Sequence, residues 1–425
     1  MGDSSFIINL KKKNMDKKGF VGKKRLFHDS QTLNNVNNNN NNNNINEDSF
    51  NSTQNSDNTI NSDLVLKDKL YNEGIILSEH THWINKVLIL RYQPNHNLIS
   101  SSADGLIIIY DNFPHYKPLL KIKLFNESGV TYLTELKNKS IIACSFGVFK
   151  QFSLKYNDSK NEFNYEVINY YSICTSYISK CIELNNEDLL FLSQQNNINI
   201  LKKKINNYNN SENEANENKI KEEYIKQPLI NLLKYELCIN ILQLNDNLLI
   251  SGNITDPKYN IIENSSNKIN NNCIYFYDED FNIISKIRNI FCTKSQENMV
   301  KINSQYVIVG IEISPNELNW NNNKVIALIN YINFQIESYY EVENQISALL
   351  LHENNLYVGD NKGYIGKYDL KNKEVLFQKE KRVHFYNINS ITCDYVSFND
   401  SNQKIFVIIT GSNDGKIKII SYFND

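Results

Sequence analysis

Short apolar runs recur along most of this sequence at a spacing of about 46 residues, and this repetition constrains the fold more than any other feature. Runs of four to six residues rich in Ile, Leu, Val and Tyr, such as 86–91, 98–102 and 106–111, alternate with Asn, Asp and Gly. Runs of this length between turn residues are typical of β-strands, and none sustains the 3.6-residue period of an amphipathic helix. The sequence therefore predicts an all-β chain built from a repeated unit.

Seven copies of the unit can be aligned. The clearest are 79–111, 345–370 and 389–423, and the weaker ones are 129–154, 177–204, 238–278 and 298–331. Two polar segments, 205–226 and 253–272, interrupt the pattern and are interpreted as loop insertions. Without them, residues 64–425 divide into units close to the ~40–45 residues of a four-stranded propeller blade. Part of segment 63–78 is predicted to supply the outer strand of the last blade, which closes the ring.

The clearest copies resemble WD repeats. Glu79-His80 stands where that family has Gly-His, and Asp104-Gly105 and Asp414-Gly415 stand at its tight turn. Tyr110-Asp111 and Tyr368-Asp369 stand at its Trp-Asp pair. The resemblance implies a seven-bladed β-propeller over residues 64–425, and it identifies no specific member of the family.

The resemblance also implies a buried structural tetrad. In the family, His, Ser or Thr, Asp and Trp form a hydrogen-bonded group that braces each blade. Here the first copy alone offers most of it, with His80, one serine of 100–102, Asp104 and Tyr110. The other blades are expected to be held mainly by apolar packing, with Asn taking left-handed turn positions that Gly usually holds.

Residues 1–63 differ in composition from the rest. They are rich in Lys, Asn and Ser, include an unbroken asparagine run from 37 to 44, and have few aromatics. Such a low-complexity segment buries too little apolar surface to offset its ordering entropy, so we expect a disordered arm. Two basic clusters in it resemble a two-part nuclear import signal: Lys11, Lys12, Lys13, Lys23, Lys24 and Arg25. A solvated basic tail and a mitochondrial presequence are the alternatives.

Charge, hydropathy and cysteines bound the class of protein. No apolar run approaches the ~18 residues of a membrane span, and the N-terminus has no apolar secretory core, so we expect no membrane association. The net charge of −2 argues against direct nucleic-acid binding. The seven cysteines are widely spaced without a C-x-x-C pair, which favours reduced thiols in an intracellular protein, nuclear or cytoplasmic, with the nucleus favoured.

Motifs for catalysis and cofactor binding are missing from the sequence. It contains no G-x-S-x-G, P-loop, G-x-G-x-x-G or H-E-x-x-H, and no Phe-Arg-Arg-Gly of the phosphoinositide-binding propellers. His80 and His82 have no carboxylate or cysteine at metal-ligand spacing nearby. Asp104, Asp360 and Asp414 stand at turns. We therefore expect no enzymatic activity, metal, cofactor or small-molecule substrate.

The resemblance places a partner-binding surface on the narrower face of the propeller. It would include His82, Trp83, Tyr177, Asp360, Phe385 and Tyr386, although Trp83 could instead pack between blades. The favoured function is a non-enzymatic protein-interaction scaffold within a multiprotein complex. The alternatives are a nuclear subunit for chromatin or ribosome assembly and an enzyme with a hydrolase-like site in the central channel. Titratable side chains converging at the channel mouth would favour the enzyme, and an aromatic patch there would favour binding.

Overall fold

The computed structural model describes most of the repeated region. The described residues are 70, 73–93, 96–113, 115–126, 128–157, 162–193, 198–204, 223–228, 236–255, 273–288, 290–292, 295, 297–313, 324–371, 374–397 and 404–421. The predicted disordered arm, with all six residues of the predicted import signal, lies outside them.

The described residues form 28 β-strands. The first fourteen in chain order are β1 (Ile75–Leu77), β2 (Ile84–Ile89), β3 (Leu98–Ser102), β4 (Leu106–Tyr110), β5 (Pro118–Lys123), β6 (Tyr132–Glu135), β7 (Ile141–Cys144), β8 (Phe146–Asn157), β9 (Glu162–Glu183), β10 (Leu189–Ser193), β11 (Ile198–Lys204), β12 (Glu223–Pro228), β13 (Glu236–Asn245) and β14 (Leu248–Thr255). The remaining fourteen are β15 (Cys273–Tyr277), β16 (Ile283–Arg288), β17 (Ile290–Cys292), β18 (Met299–Lys301), β19 (Tyr306–Ile313), β20 (Lys324–Asn330), β21 (Gln335–Glu341), β22 (Ile346–His352), β23 (Asn355–Asp360), β24 (Tyr364–Lys371), β25 (Glu374–Arg382), β26 (Ile388–Ser397), β27 (Lys404–Ser412) and β28 (Ile417–Ser421).

These strands pair antiparallel into six sheets. The first sheet is β2-β3-β4-β5, and the seven-stranded sheet runs from β6 to β12 in chain order. Then come β13-β14-β15-β16, the sheet of β17 to β21, and β22-β23-β24-β25. The closing sheet has the order β26-β27-β28-β1, so its outer strand comes from the beginning of the described chain. Pairing of Ile75 with Ile419 and Leu77 with Ile417 closes the ring, as predicted for segment 63–78.

The prediction of seven separate blades is wrong, because the described strands form six sheets. Copies 129–154 and 177–204 lie in one sheet, joined by the 22-residue strand β9. The first part of β9 pairs with β8 and its last part pairs with β10, without a turn between them. Residues 171–178 contain no Gly, Pro, Asn or Asp, so the local sequence has no residue that favours a turn there.

Hydrophobic cores lie between neighbouring sheets around the ring. One core joins the closing sheet to the first sheet through Ile84, Val87, Val407 and Ile409, all fully buried. Another lies within the seven-stranded sheet, whose two halves pack against each other. Strong alternation is absent from the central strands because both of their faces are covered, as in β3, where all five residues are buried.

Both predicted insertions are wrong at one end. Residues 223–226 belong to β12, which pairs with β11, and residues 253–255 belong to β14. The remainder of each segment lies outside the described residues.

The structure bears on the cysteines and on membrane spans only within the described residues. Six cysteines there are free: Cys144, Cys174, Cys181, Cys238, Cys273 and Cys393. In the same part of the chain, no helix has the length and hydropathy needed to cross a bilayer.

Candidate functional site

A buried polar group braces the first sheet. The His80 ring contacts the Asp104 carboxylate at 2.9 Å through Nδ1 and the Ser100 hydroxyl at 2.8 Å through Nε2. The Asp104 carboxylate also accepts the backbone N–H groups of Thr81 and Leu106. Burial alone would raise the pKa of Asp104, but hydrogen bonds from His80 and the two backbone amides outweigh it and lower the pKa to about 2. Tyr110 lies fully buried on the same sheet, with its hydroxyl 3.4 Å from Glu79.

A second group of the same kind occurs in the closing sheet, which was expected to be held mainly by apolar packing. His384 Nδ1 lies 2.8 Å from Asp414 Oδ2, and His384 Nε2 lies 2.8 Å from the Thr410 hydroxyl. Burial lowers the pKa of His384, although the Asp414 carboxylate opposes this effect. The sequence signal was available: a histidine stands before an apolar strand and an Asp-Gly turn follows, as in the first copy. It was not recognised because His384 and Asp414 are 30 residues apart, whereas His80 and Asp104 are 24 apart.

The two loops that begin with these histidines expose a patch of aromatic side chains. We call His82, Trp83, Phe385 and Tyr386 the aromatic patch. The exposed fractions are 53% for Trp83, 71% for Phe385 and 61% for Tyr386, and His82 is also exposed. His82 and Trp83 contact edge to face, with ring centroids 6.0 Å apart. Trp83 therefore does not pack between blades.

The turn between β27 and β28 holds both loops of the patch on one face. Ser412 donates a hydrogen bond from its hydroxyl to the backbone carbonyl of Tyr386. Gly415, at φ +74°, lies so close to the other loop that an added Cβ would stand 3.2 Å from the His82 carbonyl oxygen. Asn389 further links the sheets, since its side-chain amide donates to the Ile84 carbonyl at 2.7 Å. Aromatic residues from two neighbouring sheets are thus fixed beside one another.

The other two predicted surface residues are not part of the aromatic patch. Tyr177 is 41% exposed and contacts Phe146 edge to face at 4.9 Å, in the seven-stranded sheet. Asp360 is buried, and its carboxylate accepts hydrogen bonds from the backbone amides of Lys362 and Tyr364. Asp360 thus organises the turn between β23 and β24.

Charged and amide side chains meet at the centre of the ring, on the inner strands of several sheets. We call this set the channel cluster: Lys86, Tyr132, Lys180, Asn240, Glu297 and Asn298. The Lys86 ammonium lies 2.7 Å from the Glu297 carboxylate, which also accepts the Tyr132 hydroxyl at 3.3 Å. The Lys180 ammonium donates to Asn240 at 2.6 Å. These contacts connect four sheets across the ring.

The channel cluster keeps its charges despite burial. Burial would raise the pKa of Glu297, but Lys86 and Lys180 outweigh it and lower the pKa, so the carboxylate stays ionised. Burial lowers the pKa of Lys180 to about 8, with Glu297 opposing the shift and Lys86 adding to it. A carboxylate in this state accepts hydrogen bonds but does not serve as a proton donor near neutral pH. The arrangement is suited to bracing the ring.

Small polar residues at the start of an inner strand, each directly after an apolar residue, form hydrogen bonds between sheets, a role that was not predicted from the sequence. Asn85 donates to the Val130 carbonyl at 2.7 Å, and the Ser347 hydroxyl donates to the Ile388 carbonyl at 2.6 Å. Thr131 forms the same bond within the seven-stranded sheet, to Ile178 at 2.5 Å. The available signal was a polar residue at one fixed position in several copies.

Metal binding has no support in the part of the chain that the structure describes. No group of three or more His, Cys, Asp or Glu side chains there is arranged to hold a metal ion.

Residues 73–111 match the model of the family described as WD domain, G-beta repeat. Among curated proteins, none has a sequence that matches the chain. The resemblance to WD-repeat propellers is confirmed by this repeat together with the fold.

Two solved structures are similar to this chain in fold. The crystal structure of Sqt1 from Saccharomyces cerevisiae has a TM-score of 0.54 at 9% identity, covering 83% of this chain and 100% of that chain. The WD40 β-propeller domain of Doa1 has a TM-score of 0.53 at 12% identity, covering 83% of this chain and 96% of that chain. At these identities the similarity shows the fold alone.

Proposed function

We propose that this WD-repeat propeller is a non-enzymatic protein-interaction scaffold that holds a segment of a partner protein on its aromatic patch. WD40 propellers generally mediate protein–protein interactions, so the fold is compatible with this role. The single observation that carries the proposal is the exposure of Trp83, Phe385 and Tyr386 on adjacent loops. Trp and Tyr are enriched at binding hot spots, and clustered exposed aromatics mark interaction surfaces.

The enzyme alternative predicts converging titratable groups in the channel, and the channel cluster does bring such groups together. Its carboxylate is ionised and bonded to Lys86 and Tyr132, and Lys180 is bonded to Asn240. Bonding within the cluster supports a bracing role, so the scaffold remains the favoured function.

A variant of the patch tests the proposal. Trp83→Ala, Phe385→Ala and Tyr386→Ala are combined, and the bound proteins are quantified by affinity purification and mass spectrometry. The matched control combines Tyr92→Ala, Tyr156→Ala and Tyr165→Ala, which truncate exposed aromatics away from the patch. We expect a stoichiometric partner to be lost from the patch variant and retained by the control.

The same experiment can overturn the proposal. Recovery of the wild-type protein without a stoichiometric partner would contradict the scaffold function. Equal retention by both variants would place the interaction elsewhere on the protein. Thermal unfolding of both variants shows whether a loss of binding is instead a loss of folding.

A nuclear site of action is a separate proposal, and it is based on the two basic clusters at residues 11–13 and 23–25. Changing Lys23, Lys24 and Arg25 to Ala is expected to abolish nuclear accumulation of the full chain. An unchanged cytoplasmic distribution of wild type and variant would contradict it.

A further inference from the structure

A cavity of about 220 Å³ lies between the sheet of β17–β21 and the sheet of β22–β25. We call it the acidic pocket. Four carboxylates line it, those of Glu341, Glu343, Asp360 and Glu380, together with aromatic rings that include Tyr340, Tyr368 and Phe377. The repeat matched at residues 73–111 lies in another sheet.

The strand register explains why these residues share one face. Gly366 pairs directly with Glu380 across β24 and β25, and Tyr368 pairs with Phe377. Residues opposite each other in antiparallel strands point to the same face, as do residues two apart on one strand. Gly366 leaves room on that face, and the Tyr368 ring fills it. A Cβ added at Gly366 would stand 2.7 Å from Cε2 of Tyr368.

Aromatic rings form the walls of the acidic pocket. The Tyr368 ring contacts Tyr340 from the neighbouring sheet edge to face, with centroids 5.4 Å apart. It contacts Phe377 in the same manner at 5.4 Å. Perpendicular rings present both faces and edges to the cavity. The negative faces of such rings attract cations.

The carboxylates give the pocket an excess of negative charge. Burial raises the pKa of Glu380, and the negative charges of Glu343 and Asp360 raise it further. Asp360 is held in place, since Asn344 donates to its Oδ2 at 2.7 Å. Burial also raises the pKa of Tyr368, with added effects of Tyr340, Glu380 and Asp360, so the phenol stays neutral.

The acidic pocket adjoins the aromatic patch. The Arg382 guanidinium lies 5.7 Å from the centroid of Tyr364, which lines the pocket, and 5.1 Å from the centroid of Phe385 in the patch. Its Nε–H donates to the His384 carbonyl. One extended segment of a partner could therefore contact both sites.

We propose that the acidic pocket binds a cationic side chain, lysine or arginine, of the partner segment. Carboxylates supply the countercharge, and the aromatic walls accept the alkyl stem and the face of the cation. This inference rests on the proposed function for the nature of the ligand, whereas the preference of the pocket for a cation can be measured without any partner.

Selective ¹⁵N-glycine labelling of the full chain gives a direct measurement. The sequence has 14 glycines, of which Gly366 lines the pocket, while Gly105 and Gly411 belong to other sheets. The probes are N-acetyl-lysine methylamide, its Nε-acetylated form, and N-acetyl-norleucine methylamide. We expect the lysine probe to shift the Gly366 resonance with a dissociation constant of about 1 mM. The two neutral probes are expected to bind at least about tenfold more weakly.

Variants assign the effect to the carboxylates. Glu380→Gln is expected to weaken binding of the lysine probe roughly three- to tenfold, because it removes an unpaired charge and keeps the shape. Glu162→Gln, at an exposed site on β9, is the matched control and should leave binding unchanged. Gly366→Ala is expected to displace the Tyr368 ring and weaken binding with no change of charge, read out by the shifts of the Gly363 amide.

Two outcomes would overturn the inference: equal binding of the norleucine and lysine probes, or no shift of Gly366 with any probe. The outcome for the proposed function is distinguishable. If the lysine probe binds while the patch variant keeps its partner, the pocket stands and the patch proposal fails. If the probe does not bind while the patch variant loses its partner, the pocket inference fails and the patch proposal stands.

Discussion

The closing sheet and the first sheet are stabilised differently from the seven-stranded sheet. In the two former sheets, a buried histidine joins an aspartate and a hydroxyl with distances of 2.8–2.9 Å. The seven-stranded sheet contains no histidine. Phe149 lies at its core instead, stacked on Phe191 at 4.6 Å and on Tyr171 at 5.1 Å.

The difference explains which parts of the chain can be recognised from sequence. A hydrogen-bonded group requires specific residue types at specific positions, and it leaves a readable motif. Stacked rings require only apolar bulk and shape, which many sequences satisfy. The family model accordingly matches residues 73–111, within the region that has a histidine group.

The largest expected effect is in the seven-stranded sheet. Phe149→Ala removes a fully buried ring that packs between two others, so we expect a loss of about 3–5 kcal/mol in the free energy of unfolding. Urea unfolding followed by circular dichroism measures it. Phe146→Ala, on the same strand but half exposed, is the control, with an expected loss below about 1 kcal/mol. Equal losses would show that the stack is not what holds this sheet.

The histidine groups give the next largest effect. Asp104→Asn and Asp414→Asn each remove the charge that accepts the histidine proton, and we expect losses of about 1–3 kcal/mol near neutral pH. The exposed Asp280→Asn is the control. Because the pKa of Asp104 is lowered to about 2, its stabilisation is complete above pH 3.8 and is lost as the pH falls towards 2. The deficit of Asp104→Asn should shrink over that range, and a constant deficit would contradict this origin.

A smaller effect is expected from the histidine of the closing sheet. Burial lowers the pKa of His384 in the folded protein, so below pH 6.5 the unfolded chain binds a proton that the folded chain does not. The free energy of unfolding therefore falls as the pH falls from 7.5 to 5.5. His384→Gln should flatten this dependence in urea unfolding at the two pH values. An identical slope in variant and wild type would exclude His384 as its source.

The smallest effect concerns the hydrogen bonds between sheets. Asn85→Ala removes the donor to the Val130 carbonyl, and we expect a loss of about 0.5–1.5 kcal/mol in thermal or urea unfolding. Thr131→Val makes the matching change within the seven-stranded sheet, where Thr131 donates to Ile178. A much larger loss at Thr131 would mean that this sheet also depends on polar contacts, against the comparison made above.

The sequence predicted the strand content, the repeat and the closing strand, because these follow from local apolar patterns and turn residues. It did not predict the continuity of β9, since a missing turn signal in the middle of an apolar stretch has no positive signature. Of the surface residues, His82, Trp83, Phe385 and Tyr386 lie together, whereas Asp360 is buried and organises the turn between β23 and β24. The acidic pocket depends on the register of β24 with β25 and on packing of Tyr340 from the neighbouring sheet against Tyr368, which local pattern does not give.

The asparagine-rich turns show a second limit. Asn was expected to take left-handed backbone positions, and this is wrong for the described residues, where no asparagine has positive φ. Asn138 and Asn186 instead accept the backbone N–H two residues later through their side chains. The left-handed residue is the next one, Lys139 or Glu187. Side-chain acceptance of this kind is an Asx-turn, so the excess of asparagine acts through its amide oxygen.

The connections between neighbouring parts of the ring differ, and this difference determines where the ring would open under mechanical force. The two halves of the seven-stranded sheet are connected by the continuous covalent backbone of the 22-residue strand β9. The closure between β1 and β28 consists of three residue pairs. A partner that pulls on the chain ahead of β1 would act directly on this three-pair junction, so mechanical opening of the ring is expected to begin there and to reach the aromatic patch, which the closing sheet helps to build.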